Sequence, residues 1–328
     1  MREPEVARRS LLAFLAALLA LPLLLRAGWP IVVSGAFLVE FLSDGRVPAL
    51  TPITPEPAVA ALAIPGVAAD LYRGAECASA GRGPATGGAW QARPCSLVLV
   101  HGLAPEGKGD PRLRRAARLL ARTGFAVAVP TIEGLTRLRL GPEDVETVVA
   151  TVSAMPPPVR LIGISVGAGP ALLAAADARV RDRIALVLSL GGYASAFELA
   201  RFYVTGNPAL ARRFAEANPD LMDATARHAL ATGDMAGLSP DLRRWLAALS
   251  PERVVGRIRG QLLIVHGRDD PLVPYTESLR LAAAARALRP RVAIVGVIAH
   301  VEGGAHRRVR DFLTLWSLSH ELIAGNSP

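Results

Sequence analysis

The chain has 328 residues, 51% of them hydrophobic, and a formal net charge of +9 at pH 7. That length suits one large domain with an appendage, or two modest ones, and the apolar content supplies a sizeable core and excludes global disorder. The positive charge is carried by arginines, with Lys108 the only lysine; Arg112, Arg114, Arg115, Arg118 and Arg122 recur at helical spacing among alanines, which reads as a solvated face with no nucleic-acid-binding motif beside it, so no nucleic-acid partner is expected.

In chain order, residues 11–25 are apolar except for Pro22, with Arg8 and Arg9 before them and Arg26 after. The run is short for a membrane span, but Arg26 can snorkel and Trp29 suits the membrane interface. A second apolar stretch, 30–42, is interrupted by Gly35 and Glu40. It extends the span or lies along the membrane surface. The expected reading is an uncleaved anchor over residues 1–45. The alternatives are a cleaved signal peptide ending at the small residues Ser34 to Ala36, which would give a secreted protein, and a buried helix of a soluble one. The leading arginines favour a cytoplasmic N-terminus and an exported domain, and Arg26 counters them. Residues 46–66 carry Pro48, Pro52, Pro55, Pro57 and Pro65 and read as a stiff connector. Residues 67–328 form the third part.

Residues 75–94 are a Gly-rich loop with Cys77 inside it and Cys95 just beyond. In an exported domain a Cys77–Cys95 disulfide would close that loop; otherwise they are unrelated thiols. Neither belongs to a Cys/His cluster of metal-site spacing, and no metal is expected. From here strands and helices alternate. Strands are expected at 96–100, 125–129, 159–164, 184–190, 261–265 and 291–298. Helices are expected at 111–123, 143–155, 166–176, 276–288 and 307–323, the first opened by Asp110-Pro111 and stopped by Gly124. Residues 193–255 read as helical throughout. Such alternation implies an α/β fold with a parallel sheet, helices on both faces and sites at the carboxyl ends of strands.

The chemistry-bearing residues fall at those ends. Gly163-Ile164-Ser165-Val166-Gly167 joins a strand to a helix, the context of the nucleophile elbow. A serine needs a base, and the base a carboxylate to orient it. Asp269 and Asp270 both follow the strand that ends at His266-Gly267. His300 directly follows the last strand; His306 lies six residues on, and His320 is deep in the final helix. Position favours His300, with His306 as its rival. Gly102 lets the backbone turn after 96–100, so that the N–H groups of Leu103 and Val166 form an oxyanion hole. His101 is expected to hold the strand end by hydrogen bonds.

These residues resemble the α/β-hydrolase superfamily, in its dienelactone-hydrolase-like and esterase branch. The order Ser165, Asp270, His300 is typical of it. Leu97-Val98-Leu99-Val100-His101-Gly102 looks like the family's oxyanion strand. His266-Gly267-Arg268-Asp269-Asp270-Pro271 resembles its acid motif, in which the aspartate three residues after the glycine is catalytic, and this selects Asp270 over Asp269. Asp70-Leu71-Tyr72-Arg73 looks like the family's early strands. The resemblance implies a serine hydrolase acting on carboxylic esters without cofactor, with residues 193–255 as a helical lid; it does not specify the substrate, and the expected membrane anchor is what points to small-molecule or lipid-like esters. Peptidase, acyltransferase and non-catalytic binding readings remain as alternatives. Phe197, Phe202, Tyr203, Phe214 and Trp245 either line an acyl pocket or only pack the lid. Two departures stand out: dienelactone hydrolases proper carry cysteine where this chain has Ser165, and the family's glycines before the histidine are missing, while Gly303-Gly304 precede His306.

Overall fold

The computed structural model describes residues 28–74, 95–296 and 305–324. Its centre is an eight-stranded sheet in the order β1-β2-β4-β3-β5-β6-β7-β8. The strands are β1 (Ala58–Ile64), β2 (Val67–Arg73), β3 (Ser96–Val100), β4 (Ala126–Pro130), β5 (Val159–Ile164), β6 (Ile184–Leu190), β7 (Gln261–Gly267) and β8 (Arg291–Val295). β2 is antiparallel to β1 and β4, and every pairing from β4 to β8 is parallel. The long helices are α1 (residues 28–42), α2 (Pro111–Arg122), α3 (Glu143–Ala154), α4 (Ala168–Ala175), α5 (Ala196–Gly206), α6 (Pro208–Ala217), α7 (Ala224–Thr232), α8 (Pro240–Ala248), α9 (Thr276–Ala284) and α10 (Ala305–Ala324).

The central strands are apolar on both faces because both faces are covered. Alternate residues divide between two cores. Val98, Val100, Leu161, Val187, Leu262 and Ile264 pack towards α3 and α4. Leu97, Leu99, Ile162, Leu186, Leu263 and Val265 pack with α1, α2 and α10. Asp110 caps α2, its Oδ1 accepting from Arg112 N at 2.8 Å and Leu113 N at 3.1 Å. Arg160, buried in β5, stacks over Phe125 at 5.1 Å and donates to the backbone oxygens of Leu322 and Ile323. A cation there complements the negative end of α10.

Helices α5 to α8 form one excursion between β6 and β7, a cap with no strand in it, as expected. Each starts on a side-chain cap: Ser195, Asn207, Asp223 and Ser239. The excursion is closed at its base, where Glu252 N donates to Ala194 O at 3.0 Å and Ala196 N to Ser250 Oγ at 3.0 Å.

Two elements differ from the sequence expectation. Within the Pro-rich stretch 46–66, residues 58–64 form β1, paired along its length with β2. Its alanines are largely exposed at the sheet edge, so it carries no apolar alternation to read. Residues 30–42, expected to extend a span or lie on a membrane, belong to α1, which buries Val33, Phe37 and Leu38 on the sheet and exposes Trp29, Ile31, Val32 and Phe41. Its Glu40 is no interruption, since it accepts from Leu50 N at 2.7 Å and Thr51 N at 2.9 Å. Among the described residues no helix is long and apolar enough to cross a membrane. The apolar run 11–25 lies outside them, as does Cys77; Cys95 is disulfide-bonded.

Candidate functional site

Ser165 stands between β5 and α4 with φ +53°, a left-handed conformation that costs a non-glycine residue energy and persists where the surroundings impose it. The neighbouring glycines show what imposes it. A methyl group on Gly163 would lie 2.5 Å from Ala168 Cα, and one on Gly167 would run into the His101 carbonyl oxygen. Strand, turn and helix therefore close on one another only without side chains at 163 and 167. The serine side chain, half-buried, is pushed up at the carboxyl end of β5.

The turn after β3 wraps this elbow. A methyl on Gly102 would stand 3.0 Å from Ser165 Cβ and 3.6 Å from its Oγ. The turn is held by His101, buried at 1% exposure. Its Nε2 accepts from Ile132 N at 2.9 Å, and Nδ1–H donates to Gly102 O at 2.7 Å. Burial keeps the imidazole below its usual pKa, and this pairing needs the neutral ring. Leu103 follows Gly102, and Val166 follows Ser165, so the two expected oxyanion donors belong to the two turns that meet here.

The carboxylate comes from the β7 end. Asp270 Oδ1 accepts from Leu272 N at 2.8 Å and Val273 N at 3.1 Å. Its Oδ2 lies beside Gly191, where a methyl would be 3.5 Å away. Gly191, at φ +64° directly after β6, turns the chain aside and leaves room for the carboxylate. The Asp270 side chain is 27% exposed, whereas Asp269 points into solvent. Of the two aspartates, the structure brings Asp270 to the rim. His300 lies outside the described residues. His306 falls in the first turn of α10, and its side chain is outside them too. Just past β8, Gly296 N donates to Asp311 Oδ2 of α10 at 2.7 Å.

Sequence reasoning missed the residues that brace these groups. His266, fully buried, donates from Nε2 to Val273 O at 2.9 Å and accepts at Nδ1 from Ser278 Oγ at 2.6 Å. Burial holds it below its usual pKa, so a neutral ring clamps the 270–273 turn that carries the carboxylate. Glu277, also buried, accepts from Ala194 N at 3.0 Å and Ser195 N at 2.8 Å, fixing the base of the cap to α9. The only sequence signal for His266 was a polar residue ending an apolar strand, and Glu277, between Thr276 and Ser278, gave none. Tyr203, read from the sequence as either lining a pocket or packing the lid, is buried; burial and the charge of Asp270 raise its pKa. Among the described residues no cluster of His, Cys, Asp or Glu has the arrangement of a metal site.

A mostly parallel eight-stranded sheet with antiparallel β2, a serine on a positive-φ turn after β5 and a helical excursion after β6 define the α/β-hydrolase fold. The comparison with solved structures agrees. The chain superposes on the Pyrococcus horikoshii acylaminoacyl peptidase with a TM-score of 0.53 and 16% identity, over 83% of this chain and 41% of that one. A puromycin-hydrolyzing peptidase of Mycobacterium tuberculosis gives 0.51 and 19%, over 82% and 39%. The 2,6-dihydroxy-pseudo-oxynicotine hydrolase gives 0.51 and 18%, over 88% and 74%. The chain thus spans about two fifths of the length of the two peptidases. As a sequence it matches no family model and no curated protein.

Proposed function

We propose that the chain is a serine hydrolase that cleaves carboxylic esters through an acyl-enzyme on Ser165. The observation that carries this is the serine held at φ +53° with the Gly102 turn against its side chain. In the proposed reaction Ser165 Oγ attacks the ester carbonyl carbon while His300 takes the hydroxyl proton. The electron pair displaced onto the carbonyl oxygen is held by the N–H groups of Leu103 and Val166. When the tetrahedral adduct collapses, the C–O bond to the alcohol breaks and His300 returns the proton to it. Water then repeats the sequence on the acyl-enzyme and releases the acid. Asp270 orients the histidine. His306 and Asp269 are the alternative residues for these roles. No cofactor enters the reaction.

The same residues serve an amide, and the peptidases among the structural neighbours favour that as the second reading. Parallel assays on esters and on aminoacyl amides separate the two. The run 11–25, with Arg8 and Arg9 before it, supports anchoring of the chain in a membrane with an exported catalytic domain. Retention in the membrane fraction after alkaline extraction tests that placement; release into the soluble fraction refutes it.

The decisive test of the hydrolase is intact-mass spectrometry after fluorophosphonate treatment. One adduct on the wild type, absent from Ser165→Ala, is expected. A folded wild type that takes no adduct refutes the mechanism and turns the reading towards a binding protein of the same fold.

A further inference from the structure

Of the 37 lysines and arginines, Lys108 is the one lysine, and it lies beside the candidate site. It stands in a short 3-10 turn, Gly107–Gly109, between the Gly102 turn and the start of α2. Its side chain, 31% exposed, donates from Nζ to Asp70 Oδ1 of β2 at 2.7 Å. Its backbone N–H donates to Thr131 Oγ1, just past β4, at 3.1 Å. Thr131 N in turn donates to Ala68 O of β2 at 2.8 Å. One residue thus ties the connection from β3 to α2 onto both β2 and the end of β4.

The fit is close. Gly107 has φ +53°, and a methyl group there would stand 2.6 Å from Thr131 Cγ2. Gly107 N closes a turn on Ala104 O at 2.9 Å, Gly109 N donates to Glu106 O at 2.8 Å and Asp110 N to Gly107 O at 3.2 Å. Residues 104–110 are therefore one hydrogen-bonded unit. Upstream, His101 Nε2 accepts from Ile132 N, the residue next to Thr131. The stretch that carries Gly102 and Leu103 is clamped at both ends to residues 131 and 132. Gly102 lies against Ser165, so a shift of either clamp moves the Leu103 N–H relative to the serine.

We infer that Lys108, Asp70 and Thr131 are positioning residues for the oxyanion hole: they hold the backbone N–H of Leu103 where the charge of the tetrahedral adduct develops. This rests on the hydrolase reading and extends it to three residues outside the Ser-His-Asp set. An oxyanion donor works by being aimed in advance at the place where charge appears, and a misplacement of about 1 Å costs about 10²-fold in rate. A partly exposed ion pair adds little to stability. The pair therefore has a signature of its own: its loss falls on turnover and hardly on folding.

The test measures p-nitrophenyl acetate hydrolysis by the full chain and by its variants Lys108→Met, Asp70→Asn, the two combined, and Thr131→Val. Each single variant is expected to lower kcat by about ten- to a hundredfold. KM stays within about twofold of wild type, because the oxyanion is bound only in the transition state. The combined variant falls no further than the poorer single one, since both changes remove the same contact. Tm stays within about 3 °C of wild type. Should Lys108→Met fail to fold, Thr131→Val, which exchanges a hydroxyl for a methyl of the same shape, decides alone. A kcat within about twofold of wild type in the folded variants overturns the inference. So does a loss confined to KM, or losses that multiply in the combined variant. A wild type that takes no fluorophosphonate adduct refutes the hydrolase reading instead, whereas a labelled wild type with unimpaired variants refutes this inference alone.

Discussion

The two adjacent aspartates after β7 show how one residue of position decides burial and partners. Asp270 is locked by two backbone N–H groups and turned beside Gly191, while Asp269 faces water. Asp270→Asn is therefore expected to lower kcat/KM by about 10⁴, the loss that follows when a catalytic histidine is left in the wrong tautomer. Asp269→Asn should stay within a few-fold of wild type, and equal losses in steady-state assays would remove Asp270 from the mechanism. The histidine is decided in the same way: His300→Ala should abolish turnover and His306→Ala should retain it, and the reverse result reassigns the base. The Ser165 turn was legible in the sequence because a strained turn needs glycines at fixed offsets, whereas position alone left Asp269 and Asp270 open and the resemblance to the family's acid motif chose between them. His266 was not legible, because a buried neutral histidine holding a turn has the same one-letter signature as any other histidine.

Between the elements, two buried carboxylates act in opposite directions with pH. Asp144, in the first turn of α3, is 3% exposed and accepts from Gly141 N at 3.0 Å. Burial, with the nearby charge of Glu143 adding to it, raises its pKa to about 6. The folded chain thus holds this proton more tightly than the unfolded chain. Its contribution to stability is full below the unfolded value of 3.8 and is lost as pH rises through about 6, a change of the order of 3 kcal/mol. Asp144→Asn should flatten the Tm profile between those limits, which a thermal melt series checks; an unchanged slope would assign it to other groups. Glu40 has the opposite sign. Burial works against its charge, but hydrogen bonds from Thr51 and Leu50 outweigh burial and lower the pKa. Its contribution is present above the usual glutamate value and is lost as pH falls through the depressed one. Glu40→Ala should cost about 1–3 kcal/mol near neutrality, by leaving Leu50 N and Thr51 N without their acceptor. The strands from β3 to β8 were legible because parallel strands buried on both faces are continuous apolar runs, and the cap because it lacks such a run. β1 was not, since pairing at an exposed edge is satisfied by backbone groups and leaves alanine as good as valine.

At the scale of the whole molecule, α1 belongs to the α/β body, packed on its sheet. Its sequence reads as membrane-like because the side facing the sheet is apolar and its outer side keeps Trp29, Ile31, Val32 and Phe41 exposed. Hydropathy alone does not separate a helix that faces lipid from one that faces a sheet. Contacts do: Val33, Phe37 and Leu38 complete the core formed by Leu97, Leu99, Ile162, Leu315 and Leu318. Trp316 of α10 donates to Ser34 Oγ at 3.0 Å and to Ile31 O at 3.2 Å. Three buried apolar side chains contribute about 1.5–3 kcal/mol each, a large share of the stability of an ordinary domain. A chain beginning at residue 28 should accordingly keep its cooperative melt, whereas one beginning at residue 43 should melt well below it and bind a hydrophobic dye through the uncovered sheet face. Equal melting temperatures for the two would show α1 to be an accessory resting on the fold. The expected difference would make α1 a structural layer of the α/β body, one that the sheet needs to cover its face.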